Sequence, residues 1–222
     1  LVGSEMCIRD SNKVKSNIKN VYFQSFAIYA LSEYAMLTHS EQARQAAMEL
    51  FDYIESMFRT KNGYREQLDG ENVLADKGCV CPRTMNAVLH IIEAYTNLVK
   101  ATKDERVASA LRNLLRLVAD KIYNPQEKRL DVFFDENYKS LCDYQSYGHD
   151  IESAWLLREA ATVVQDKVIK RKIGAISDAL TESVYQRAFI EQSVVNECVN
   201  GIVDTDRIWS VSYTHLRAHE TE

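Results

Sequence analysis

The chain has 222 residues, 46% hydrophobic and 27% charged, with a net charge of -5. That composition suits one globular domain with a sizeable core. It leaves no basic footprint for nucleic acid, and no apolar run approaches the ~20 residues of a membrane span. With only 7 Gly and 2 Pro among abundant helix formers, an all-helical class is expected.

From Asn17 to Leu37 the chain reads as a helix, with Val21, Ile28, Leu31 and Ala35 at helical spacing and Phe26, Tyr29 and Tyr34 on further faces. It is apolar nearly all round and so expected to be buried. Ser40 caps a second helix, Glu41 to Phe58, whose apolar stripe is Ala43, Ala47, Leu50, Phe51 and Ile54. Lys61-Asn62-Gly63 marks a turn, and a loop follows from Glu66 to Pro82. Arg83 to Lys100 reads as a third, buried helix. Asp104 caps an amphipathic fourth, Glu105 to Ile122, which Asn124-Pro125 ends. A short hairpin is expected from Leu130–Phe134 and Tyr138–Cys142 around Asp135-Glu136-Asn137. His149 to Gln165 reads as a buried fifth helix and Asp166 to Ala188 as an amphipathic sixth. Phe189 to Val203 gives one signal, a turn at Asn200-Gly201. Buried and amphipathic helices therefore alternate three times, at a period of ~50–60 residues. A ring of helix hairpins has this pattern, and so does an open α-solenoid.

The five cysteines, Cys7, Cys79, Cys81, Cys142 and Cys198, form neither a disulfide framework nor a paired metal knuckle. Cys79-x-Cys81 lacks a second Cys/His pair at zinc spacing, so free thiols in a reducing cytoplasm are expected. Both ends look foreign. Leu1 to Ser11 and Val211 to Thr221 resemble translated sequencing-adapter DNA and show no apolar period. Residues 1–11 and 211–222 are read as non-native tails around a domain spanning 12–210, an internal piece of a longer protein. His215 and His219 are accordingly not ligand candidates.

Two polar clusters stand out on apolar helices. His149 follows Gly148 at the opening of the fifth helix, with Glu152 three residues on and on the same face. Unpaired N–H groups and the positive end of a helix disfavour a second charge on such a histidine, which leaves it able to accept a proton. A surface histidine beside a capping acid would look the same. On the third helix Asn86, His90, Glu93 and Asn97 recur at i, i+4, i+7 and i+11. That stripe either pairs within the core or faces a wet cleft.

Four ordered stretches carry a resemblance. Ser146 to Leu157 reads SYGHDIESAWLL. Phe26 to Ser32, Gly63 to Glu66, and Thr84-Met85-Asn86 through His90 to Thr96 agree in order and spacing. Together they resemble the cellobiose 2-epimerase branch of the N-acylglucosamine 2-epimerase family, from about Val14 to Trp209. The resemblance implies an all-α fold, a partial (α/α)6 toroid of helix hairpins with short β-hairpins in the loops. It also implies a cytoplasmic isomerase that inverts C2 of the reducing-end glucose of a β-1,4-linked disaccharide. No metal or cofactor is implied, the partner is the sugar, and nucleic acid and membrane are not expected. His149 matches one member of the acid/base pair, and His90 and Asn86 match groups that contact the reacting oxygens. Glu152, Phe26, Trp155 and Trp209 match residues around the sugar. The family's other acid/base histidine and an oxyanion-side arginine have no counterpart in the matching stretch, so the chain alone is expected to be inactive.

The chemistry asks for the same parts. The C2–H is acidic only when the sugar is open. A base must remove it, donors must stabilise the enediolate oxygens, and an acid must deliver from the opposite face. A mannose isomerase of the same superfamily remains a second reading. A non-catalytic helical scaffold is a third, and it predicts that the two polar clusters do not converge.

Overall fold

A computed structural model describes residues 18–68 and 81–207. Trp209, Cys7, Cys79, both terminal stretches (1–11 and 211–222) and most of the expected 66–82 loop lie outside the described residues.

Among those residues the chain is organised by six α-helices: α1 (Val21–Thr38), α2 (Glu41–Tyr53), α3 (Met85–Thr102), α4 (Glu105–Leu117), α5 (Tyr147–Val163) and α6 (Lys167–Ala188). Each odd-numbered helix is backed by the even-numbered helix that follows it. The odd-numbered helices also pack side by side, α1 on α3 and α3 on α5. They are the inner layer. α3 shows why: Val88, Leu89, Ile91, Ile92, Tyr95 and Leu98 are all buried, on every side of the helix. α4 instead buries one stripe, Val107, Leu111, Leu114 and Leu115, and wets the other.

The three hairpins repeat the same local chemistry. Inner helices are capped by Asn20, Thr84 and Ser146, whose side chains accept backbone N–H groups. Outer helices are capped by Ser40, Asp104 and Asp166. One residue before each outer cap, His39, Lys103 or Gln165 takes left-handed φ values of 56°, 57° and 53° to reverse the chain. After each outer helix comes a two-residue β-ladder: 59–60 with 63–64, 123–124 with 129–130, 189–190 with 193–194. The chain then returns to pair with the strand that precedes its own inner helix: 67–68 on 19–20, 133–134 on 83–84, 197–199 on 144–146. At the same place the first amide of each inner helix donates to a carbonyl of the returning chain. The pairs are Val21 to Glu66 and Met85 to Val132, both 2.9 Å, and Tyr147 to Asn196 at 3.3 Å. Each hairpin is thus stapled shut beside the N-terminus of its inner helix, and one otherwise orphan N–H is satisfied.

Four expectations change. The 130–142 hairpin forms only near its turn, where Phe134 bridges Ser140, the Leu141 N–H donates to the Phe133 carbonyl at 2.9 Å and the Asp135 N–H to the Lys139 carbonyl at 3.0 Å; Phe133–Phe134 also pairs with Arg83–Thr84, and Leu130 pairs with Tyr123 instead. Residues 189–203 hold two turns rather than one: Asn200-Gly201 as expected, and Glu191-Gln192, both at positive φ. The third helix starts at Met85 because Arg83 is extended in the staple. The fifth starts at Tyr147, which makes His149 its third residue.

Candidate active site

Each inner helix brings one part of the site from its stapled end. On α5 the cap Ser146 holds its Oγ 2.7 Å from His149 Nδ1, and the same oxygen accepts the His149 backbone N–H at 3.5 Å. On α3 His90 is buried, with Nδ1 3.0 Å from Glu93 Oε2. On α1 the Tyr22 and Phe26 rings lie 4.7 and 4.9 Å from the His90 ring, Tyr22 edge-on at 89°. Tyr22 and Phe26 also touch each other, at 4.7 Å.

The electrostatics join the three helices. His149 is held below the ordinary histidine range, first by burial and then by the positive charge His90 can carry. The Tyr22 phenol is pushed up by burial and by the carboxylates of Glu152 on α5 and Glu93 on α3. His90 and His149 therefore sense each other, and Tyr22 senses acids on both neighbouring helices. Asn86, half-buried, lies one helical turn before His90 on the same face. Glu152, also half-buried, lies one helical turn after His149.

The sequence-predicted residues divide accordingly. Asn86, His90, His149, Glu152 and Phe26 come from the stapled ends of neighbouring inner helices. Trp155 is half-buried and packs on the main core. Asn97 belongs elsewhere: its amide donates to Glu33 Oε1 on α1 at 2.7 Å, a helix-to-helix tie. The expected histidine–carboxylate pair also moves. Glu93 takes that place beside His90, whereas the Nδ1 partner of His149 is the Ser146 hydroxyl. The cap residue three positions earlier already occupies that nitrogen. Tyr22 and Ser146 were missed. Tyr22 is the second residue of α1, the register that Asn86 occupies on α3, so aligning the repeats would have found it. Among the described residues no group of three or more His, Cys, Asp or Glu side chains is arranged to hold a metal ion. No described helix is long and apolar enough to cross a membrane.

A half-buried imidazole of lowered proton affinity, a second imidazole held by a carboxylate, and an aromatic wall beside them can move a proton next to a polar substrate while limiting water. The chain belongs to the N-acylglucosamine 2-epimerase (GlcNAc 2-epimerase) family, whose pattern it matches over residues 5–217. It is 42% identical over 226 residues to a cellobiose 2-epimerase of Eubacterium cellulosolvens, covering 92% of this chain and 56% of that relative. Its fold is similar to a crystal structure of a sugar epimerase from a ruminal bacterium, with TM-score 0.88 at 34% identity over 94% of this chain and 56% of the other. It is similar as well to the cellobiose 2-epimerase of Bacillus thermoamylovorans, with TM-score 0.86 at 30% identity over 95% and 57%. The three hairpins are thus part of an (α/α)6 toroid, and the chain spans about half the length of the curated relatives it matches.

Proposed function

We propose that the full-length protein is a cofactor-independent carbohydrate 2-epimerase. Its substrate would be a β-1,4-linked disaccharide such as cellobiose, opened at its reducing glucose. The observation that carries this reading is that His90 and His149, far apart in sequence, stand at the stapled ends of two packed inner helices, with Tyr22 and Phe26 of the third against His90 and with His90 near enough to lower the proton affinity of His149. A non-catalytic scaffold gives no reason for that convergence. Family membership and the named relatives point to the same class of chemistry.

In this reading His149 is one acid/base. Its lowered proton affinity keeps it neutral near pH 7. Donation of Nδ1–H to Ser146 Oγ leaves Nε2 unprotonated to take the C2 proton. His90, oriented by Glu93 at Nδ1, turns its other nitrogen to the developing enediolate, with Asn86 beside it. Glu152, Phe26 and Trp155 hold the sugar, and Trp209 stacks on it. Tyr22 and Phe26 cover the His90 ring and limit water. The acid on the opposite face and the oxyanion arginine are assigned by resemblance to parts of the protein outside this chain. The chain by itself is therefore expected to lack turnover. Free thiols at Cys142 and Cys198 suit the reducing cytoplasm in which we place the reaction.

The test is to incubate the full-length protein with cellobiose in heavy water and follow the sugar by NMR. Deuterium at C2 with a mannosyl product is expected. A ketose with the label at C1 would make the protein an aldose–ketose isomerase. Absence of exchange at either carbon would overturn the proposal.

A further inference from the structure

Asp150 follows His149 and is 1% exposed. Its carboxyl accepts the Leu130 backbone N–H at 2.9 Å through Oδ1 and the Gln145 side-chain amide at 2.8 Å through Oδ2. Leu130 belongs to the β-ladder that closes the second repeat. Gln145, itself 2% exposed, lies in the strand that leads into α5. One buried carboxyl therefore joins two repeats at the residue beside His149.

From this geometry we infer that Asp150 is a positioning residue: it locks the start of α5 to the ladder of the second repeat and thereby sets the placement of the His149 ring. Loss of the lock would free the first turn of α5, which bears both Ser146 Oγ and His149. Filling space is not enough for this role, because Leu130 would keep an unsatisfied buried N–H.

The charges around the lock are Arg129 and Asp131 on the ladder and its outgoing strand, Tyr123 on the facing strand, and Tyr147 on α5 itself. Arg129 is already shared between Asp131 at 3.3 Å and Asp143 at 2.8 Å. Burial outweighs the two donors and Arg129, and pushes the Asp150 carboxyl up to about 7. The lock accommodates both forms. Ionised, the carboxylate accepts from both donors. Protonated, it still accepts from Leu130 and donates to the Gln145 carbonyl once that amide turns over. The folded value lies above the unfolded one, so this group's contribution to stability is full below the unfolded value of 3.8. It is lost as pH rises through about 7.

The inference rests on the reading of His149 as an acid/base only for its catalytic meaning. Its test needs no turnover, so a failure of the epimerase reading would leave it standing. Wild type, Asp150→Asn and Asp150→Ala are prepared as the 222-residue chain. Thermal midpoints are measured from about pH 5 to about pH 8, and the His149 imidazole is titrated by NMR. Asparagine keeps an acceptor for Leu130 and cannot ionise. D150N should therefore gain on wild type as pH rises, with the His149 titration unchanged. D150A should raise the His149 titration by about half a pH unit towards the ordinary value, roughly a threefold gain in proton affinity. If D150A does not fold, Gln145→Ala, which removes one donor, should shift His149 in the same direction. A wild-type-to-D150N difference that is flat with pH would overturn the inference. So would a folded D150A, or Q145A in its place, that leaves His149 unmoved.

Discussion

The helices α3 and α5 each present one histidine near the stapled end of a buried inner helix, yet they hold its ring with different partners. His90 on α3 has a carboxylate, Glu93, 3.0 Å from Nδ1, so a proton there has a counter-charge. His149 on α5 has a hydroxyl in the same place, Ser146 Oγ at 2.7 Å, and burial pushes its proton affinity down. Placed together, a histidine with a carboxylate at Nδ1 and one with a hydroxyl there and a lowered proton affinity can serve as a donor and a base. The division of labour comes from the residue that reaches Nδ1: three positions after the histidine in α3, three before it in α5.

The first way to break this comparison is to remove the base. In the full-length protein, His149→Ala should lower C2–H exchange by about 10²–10⁴ with the fold intact by circular dichroism. His90→Ala removes a donor to the reacting oxygens and should cost about 10²–10³ in the same assay. A loss confined to KM would mean that His90 only binds. Asn97 sharpens the contrast within α3. Its tie to Glu33 is structural, so Asn97→Ala should lower stability by about 1–2 kcal/mol in denaturant titration. The rate per folded molecule should not change. Ser146→Ala is the mildest expected change: about 1 kcal/mol of stability for the lost cap and a less ordered His149 resonance.

Much of this was legible in the residues. Six helices appear as apolar periods with caps, and the His90–Glu93 and His149 clusters appear as polar breaks in buried helices. The staples did not appear, because strands of two or three residues carry no readable alternation and their partners lie about 50 residues away. For the same reason the second partner of Phe133–Phe134, at Arg83–Thr84, and the pairing of Leu130 with Tyr123 do not show in the residues. The turn at Glu191-Gln192 has none of the glycine or asparagine that marks such turns. Asn97 looked like His90 and Glu93 because spacing records the face of a helix, not what stands opposite it. Glu33 on α1 decides its role, and only the packing of α1 on α3 brings it there. Tyr22 was hidden in an apolar run, where its ring reads as core.

The central claim is that His90 and His149 form one electrostatic unit. The most direct test is to titrate the His149 imidazole by NMR in the wild-type chain and in His90→Gln. The wild-type midpoint should lie below 6.5, and the stability linked to His149 should be lost as pH falls through it. In H90Q the midpoint should rise towards 6.5 without reaching it, because burial, the larger cause, is left in place. An unchanged midpoint in a folded H90Q would mean that the two histidines do not share a site, and the account would fail there.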